Sequence, residues 1–324
     1  MTLQAISDEW AVSRLEEMCR FALAAEYLLC EEAAGAGHPA GHNSHLHVEQ
    51  LAKTLTTLRH MYADLRCGSA EAGARAGPAA VAGAGVAAAA GQGAGTGAAG
   101  AGGENAAGNG ALRCPNEPEM LCYQLLLRLD THGPFRKCEG VEFLRDLRGT
   151  RPEILHSEPV RFALDCWRAY SADNAPGFFR LVKSKRCTYL QACCLHKYFA
   201  KMRIRALEVV NATHNKSPLA MAVVGRDMLA CGAPEVEALA AHCRLAVAVA
   251  ATPTAGATDA NGGAAGGAAA AGGAAAALAV KEAAFVPPST EFPVRRSLLV
   301  ETKAPSTKSG LFRWEALITG KVGC

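Results

Sequence analysis

Two tracts of this 324-residue chain, roughly 68–112 and 251–276, are almost entirely alanine and glycine. Neither has large side chains to bury, so ordering them would cost backbone entropy with no return. Alanine favours helix, but the interspersed glycines weaken that preference. Both are expected to be disordered, and any fold must carry them outside its core. One window, GAGTGAAG, superficially matches a phosphate-binding glycine loop, but no strand precedes it and no Lys-Ser/Thr follows. About 250 residues remain, ample for a sizeable core.

Residues 1–66 read as two helices. The first covers 8–32, with Ser7 as cap, Asp8 and Glu9 in the positive first turn, and Val12, Leu15, Cys19 and Ala22 along one face. After the loop GAGHPAGHNSH, the second begins near His47. Its apolar positions, Val48, Leu51, Leu55, Leu58, Tyr62 and Leu65, are spaced for one helical face that needs a partner helix. Residues 67–112 are the first tract, and 113–216 return to helix. PEMLCYQLLLRLD (118–130) is apolar on most sides, which predicts a central position. A short helix is expected over 140–149. Ser157-Glu158-Pro159 opens another, with Val160, Ala163, Leu164 and Trp167 facing inward. Two more are expected near 177–184 and 188–211. The fold class is mainly α: antiparallel helix pairs forming a helical-repeat superhelix of the tetratricopeptide kind. No strict sequence period accompanies it.

From 217 to 303 the character changes. Ser217-Pro218 starts a helix that stops near Gly232, and Pro234 starts another. LAVAVA (245–250) and LAVKEAAFV (278–286) look like strands. Two helices followed by a small β-hairpin is the order of a winged helix. The tract 251–276 then sits in the tip of the wing, where an insertion costs neither strand its partner. FPVRRSLLVETK (292–303) is expected to add a third strand or cover the wing, and 304–324 is a tail. No run of apolar residues resembles a membrane span.

The segment Asn174–Leu207 combines an aromatic pair, a basic loop and a two-faced helix. Leu195, Phe199, Met202, Ala206 and Val209 share one face, while Lys197, Lys201 and Arg205 share another. Residues 1–66 hold five Lys/Arg against nine Asp/Glu, a net of −4; residues 151–216 hold twelve against five, a net of +7. Such a positive segment can face phosphate or an acidic partner. The candidate nucleic-acid-binding set is Lys183, Lys185 and Arg186 in a loop, Lys197, Lys201 and Arg205 on the helix, and Arg295 and Arg296 near the wing. These can contact phosphates without reading base sequence. The second helix of the winged-helix region carries Glu235 and Glu237, which the major groove would repel. Sequence-specific reading of duplex DNA is therefore not expected, leaving the backbone of RNA or single strands.

Thirteen cysteines form no CxxC pair and no zinc-finger spacing. Cys19, Cys166, Cys193 and Cys194 lie on apparent helix faces, where a thiol acts as a small hydrophobe. The odd total points to a reduced nuclear or cytosolic compartment. Cys193 and Cys194 near His196 raise the thought of a thiol nucleophile, but helix spacing favours packing. His38, His42, His45 and His47 crowd one loop without an interleaved carboxylate or thiolate, so no metal and no cofactor is assigned. An enzyme is not expected.

Several of these positions carry a family resemblance. Phe178-Phe179-Arg180-Leu181, Tyr189-Leu190, Leu195-His196, Tyr198-Phe199, Arg203 and Ala206-Leu207 follow one another in the order and spacing of the germinal-centre-associated nuclear protein (GANP) family. That family is also called the leucine permease transcriptional regulator family. LAKTLTTLRHMYADL (51–65) and FVPPSTEFPVRRSLLVETK (285–303) are similar to further family segments. Where the family usually places an aromatic before the Phe pair, this chain has Ala175-Pro176-Gly177. The chain is expected to begin at about the family domain's first helix.

The resemblance implies a superhelix closed by a winged helix, similar to the PCI domains of the proteasome lid and translation initiation factors. It implies a scaffold subunit of a transcription-coupled messenger-RNA export complex at the nuclear pore periphery. The implied partners are a PCI-domain protein and a small acidic subunit, with RNA or single-stranded nucleic acid, and no membrane. Two other readings stay open: a PCI-like scaffold in a centrosome, spindle or translation assembly, and a thiol or metal enzyme.

Overall fold

The computed structural model describes residues 8–32, 41–75, 114–130, 144–145, 147–213, 219–249, 276–279, 285, 287–290, 292–305 and 317–320. Ser7, the bulk of both Ala/Gly tracts, half of 140–149 and the expected helix start at Ser217-Pro218 lie outside them. The fold is mainly helical.

Helix α1 (Glu9–Leu28) is capped by Asp8, whose Oδ1 accepts from the Ala11 N–H at 2.8 Å. Its inner face is Ala11, Val12, Glu16, Cys19, Arg20, Leu23, Ala24 and Tyr27. Two charged residues thus share a stripe that the apolar positions had defined. Helix α2 (Ser44–Arg75) runs antiparallel to α1, because Glu26, Ala22 and Glu16 meet Ser44, His47 and Tyr62 in turn. It starts before His47 and continues beyond residue 66 into the first tract, where Ala, Glu and Arg still favour helix.

Helix α3 (Glu117–Leu127) is central as expected, and every residue from Met120 to Leu126 is buried. It packs against α2, a short α4 (Pro152–Leu155), α5 (Glu158–Ser171) and α7 (Tyr189–His196). Ser157 holds the cap position of α5, but its hydroxyl donates to the Ile154 carbonyl instead of capping. The inner face of α5 is Val160, Phe162, Ala163, Cys166 and Tyr170, with Leu164 and Trp167 partly buried. Helix α6 (Ala175–Lys183) is capped by Asn174, whose Oδ1 accepts from the Gly177 N–H at 2.9 Å. A Cβ at position 177 would come within 2.9 Å of that Asn174 side chain, so the unusual Pro-Gly pair makes room for the cap. Thr188 and Gln191 form a reciprocal capping box on α7.

The single helix expected over 188–211 is two. Helix α7 ends at His196 and α8 (Phe199–Thr213) begins after a break at Lys197-Tyr198. Lys197 Nζ and the Tyr198 hydroxyl both donate to the Leu127 carbonyl at the end of α3, at 3.0 and 2.8 Å. These contacts supply partners to an orphan helix-end carbonyl, and no local pattern reveals them.

Strand β1 (Leu219–Ala220) leads into α9 (Met221–Val224), a π turn (Gly225–Leu229) and α10 (Ala233–His242). A Cβ on Gly225 would sit 2.5 Å from the Cys231 carbonyl oxygen, so the chain closes this turn only over glycine. Strands β2 (Ala246–Val249) and β3 (Ala276–Ala279) pair antiparallel, with Val247 opposite Leu278. The second tract therefore joins the two strands of a hairpin, as expected, but the second strand is at 276–279 and shares only two residues with the expected 278–286, most of whose remainder lies outside the described residues. The third strand is β1, which pairs with β3 in the order β1-β3-β2.

Residues 292–303 neither add a strand nor cover the hairpin, which corrects that expectation. They run as a strap to the end of α1 and form α11 (Leu298–Glu301) against α7. The buried Tyr27 hydroxyl holds the strap at both backbone groups of Ser297, donating to its carbonyl at 3.1 Å and accepting from its N–H at 3.0 Å. Val300 is fully buried, and Lys303 donates to the Ser184 and Cys187 carbonyls. Among the described residues no helix is long and apolar enough to cross a membrane.

Candidate nucleic-acid and partner-binding surface

The aromatic pair Phe178-Phe179 is core. Phe178, Phe179 and Phe199 meet edge to face with ring centroids 5.4–6.2 Å apart, and Tyr170 closes the cluster against Tyr198 at 5.1 Å. The Arg203 guanidinium lies over Phe179 and Phe199, 5.5 and 5.7 Å from the ring centroids. It donates to the Leu229 carbonyl at 3.0 Å, the Ala230 carbonyl at 3.4 Å and Glu235 at 3.1 Å. Ala230 is left-handed (φ 52°), a conformation that this grip helps hold. One buried cation therefore joins the helical body to the segment that precedes α10. It also occupies Glu235, leaving Glu237 as the exposed acid of α10.

His196 is buried, and its Nε2 pairs with the Arg295 carbonyl at 2.8 Å. Burial pushes its pKa down to about 4, so the ring is neutral at pH 7 and donates to that carbonyl. Burial pushes the Cys193 and Cys194 thiols up. A protonated thiol beside a histidine committed to a backbone carbonyl lacks the activation a nucleophile needs. Cys19 and Cys166 are likewise buried.

The eight basic candidates fall at several places. Lys183 ends α6 and is not in a loop; its Nζ donates to the Arg226 carbonyl at 3.1 Å. Lys185 is exposed and has no polar partner among the described residues. Arg186 pairs with Glu158 and Asp165 at 3.4 and 3.2 Å. It shares a cleft of about 560 Å³ with His156, Arg161 and Arg168. Lys197 lies in the break between helices, Lys201 pairs with Asp130 at 2.6 Å, and Arg205 pairs with Asp173 at 2.5 Å. The basic face of α8 is thus matched by carboxylates from other elements, so its field is weaker than the sequence implied.

Arg295 and Arg296 lie on the strap, not near the hairpin. Arg296 donates to the Leu28 carbonyl and faces Glu31 at the end of α1. Arg295 is exposed and joins Lys197 at a groove of about 250 Å³ between α8, α10 and the strap. Its apolar lining includes Phe199, Pro234, Ala238 and Phe292.

Sequence reasoning missed a buried polar network. Glu16 accepts from the Tyr62 hydroxyl and Asn116 Nδ2, each at 2.6 Å, beside the fully buried Arg20. The available signal was a Glu-Arg pair four apart on the same face as Cys19 and Leu23. A second miss concerns the histidine loop, which lacks a carboxylate of its own. The fold brings Glu26 from α1 to within 2.7 Å of His42.

The sequence pattern of the SAC3/GANP family matches residues 1–76 and 104–249. SAC3 family protein B of Arabidopsis thaliana is 31% identical over 207 residues, which are 64% of this chain and 10% of that protein. Protein xmas of Drosophila melanogaster is 27% identical over 208 residues, 64% of this chain and 7% of that protein. The matched region therefore spans a tenth or less of the length of these relatives.

Proposed function

This chain belongs to the SAC3/GANP family, and from that premise we propose that it is a scaffold module of nuclear messenger-RNA export, working by binding and not by catalysis. The family match carries the proposal. The fold is compatible with it: the signature residues Phe178, Phe179 and Phe199 form one aromatic cluster in the helical body, and Arg203, seated over Phe179 and Phe199, bonds to Leu229, Ala230 and Glu235. The order β1, two helices, β2, β3 supports reading 217–303 as a winged helix packed on a PCI-like superhelix. The partners that follow from the family reading are a PCI-domain protein and a small acidic subunit. The location that follows is the nucleus, at the pore periphery.

Nucleic acid, on this reading, meets the phosphate-binding side chains with spare charge. Those are Lys185 and Arg295, with Lys183, Arg186 and Lys197 adding to the field and Lys201, Arg205 and Arg296 already matched. Contact of this kind is independent of base sequence and falls steeply with salt. The test is co-purification of the tagged chain from nuclear extract with mass spectrometry of what it retains. A PCI-domain protein with a small acidic subunit supports the proposal. Spindle or translation proteins without such a pair overturn the export role and leave the fold standing.

A further inference from the structure

We propose that Glu26, His42 and His47 form a zinc site that clips the end of α1 to the start of α2. The three residues come from α1, the connecting loop and the first turns of α2. One ligand atom from each lies within 4.8 Å of the others. Glu26 Oε2 and His42 Nε2 are 2.7 Å apart, and their side chains are only 16% and 10% exposed. The rings of His42 and His47 are 5.0 Å apart between centroids.

The surrounding contacts are those a metal site uses to orient its ligands. His47 Nε2 meets the Ala22 carbonyl at 2.9 Å, which leaves Nδ1 as its ligand atom; a ring held by a backbone carbonyl is a common support for a metal-bound histidine. The Ser44 hydroxyl donates to Glu26 Oε1, the oxygen not facing His42. Asn43 caps α2 through the Leu46 N–H at 3.1 Å and so fixes the turn that carries His47.

Charge favours a cation here. The C-terminal end of α1 carries the negative end of the helix dipole and no basic residue in its last turn. Glu26 and Glu32 lie there, beside a Glu31 that Arg296 already answers. Two imidazoles and one carboxylate are a borderline donor set suited to zinc in a tetrahedral shell completed by water. Zinc bonds of about 2.0–2.1 Å place tetrahedral ligand atoms about 3.3 Å apart, so the Glu26–His42 contact opens by about 0.6 Å on loading.

The test uses the untagged chain, stripped with chelator and titrated calorimetrically with zinc, with cobalt as a spectroscopic stand-in. One zinc per chain is expected, with a tetrahedral cobalt spectrum. His42→Ala, His47→Ala and Glu26→Gln should each weaken binding by about tenfold or more, while His38→Ala and His45→Ala leave it unchanged. Circular dichroism of the metal-free variants separates lost ligation from lost folding, and Glu26→Gln keeps the size of the native side chain while removing its charge and one of its two acceptor oxygens. Absence of stoichiometric binding, or an equal loss on changing His38 or His45, overturns the site. The first would leave a hydrogen-bonded Glu-His pair, and the second a loosely chelating loop.

Discussion

Arg20 and Glu119 form a two-point ion pair between α1 and α3, Nε to Oε1 at 3.0 Å and Nη2 to Oε2 at 2.6 Å. Arg20 Nη1 also donates to the Ile318 carbonyl at 3.2 Å, so the same guanidinium holds residues 317–320 to the helical body. The Tyr123 hydroxyl donates to Glu119 from one turn along α3. Removing one partner leaves a charge in a site with little access to water. Glu119→Ala is expected to cost about 3 kcal/mol, measured by urea denaturation. The pair Arg20→Met with Glu119→Leu should recover only a small part of that loss, because it leaves the buried Glu16 without its cation and the Tyr123 hydroxyl without its acceptor.

Phe178 is fully buried among Phe179, Phe199 and Tyr170. Phe178→Ala should cost about 3–5 kcal/mol, the usual range for an aromatic truncated in a close-packed core. Lys183→Ala, at an exposed end of the same helix, should cost less than about 1 kcal/mol. Thermal denaturation of the two variants decides whether the family's aromatic pair is core or surface.

His196 ties stability to pH. Its folded pKa is near 4, below the ordinary 6.5, because burial disfavours the charged ring. A depressed histidine contributes stability above pH 6.5, and that contribution is lost as pH falls from 6.5 toward 4. Urea midpoints of the native chain should fall across that window. His196→Gln, which can still donate to the Arg295 carbonyl, should flatten the fall. An equal slope in both proteins would show that other groups carry the dependence.

Gly177 leaves space for the Asn174 cap. Gly177→Ala should displace that side chain and cost about 1 kcal/mol, and Asn174→Ala should cost a similar amount. The double variant should cost little more than either alone, since both remove one cap. A denaturant series on the three proteins checks this.

Nucleic-acid contact through spare charge is separable from folding. Lys185→Glu combined with Arg295→Glu should weaken single-stranded RNA binding by about tenfold at low salt, and should reduce the salt slope. Lys201→Ala should change affinity little, because Asp130 already answers its charge. Fluorescence anisotropy across a salt series tests both, with melting temperatures expected to stay unchanged for the double Glu variant.

Helices were legible wherever their evidence is local. The stripe Leu51, Leu55, Leu58 and Tyr62 is buried along α2, and the all-round apolar run around Leu125 is the centre of the body. An antiparallel hairpin across the second tract was legible, but its second strand runs over Ala276–Ala279, sharing only two residues with the expected 278–286. The break at Lys197-Tyr198 was not legible, since the helical pattern on either side continues through it. Its cause is the Leu127 carbonyl, which lies about seventy positions earlier. The strap was misread for a related reason: an extended apolar run fits a strand until a buried tyrosine and His196 claim its backbone groups.

The sequence by itself determined that this chain is mainly helical, where its tracts interrupt the core, and which family it resembles. Those properties depend on residues three or four apart, or on the order of motifs. Only the tertiary structure decided which charges are spare and which are spent. Arg203 became a core cation, Lys201 and Arg205 were matched by Asp130 and Asp173, and Glu26 reached the histidine loop. The strength of a charge depends on what folding places within a few ångströms of it and on how much water it keeps, and neither is written in local spacing.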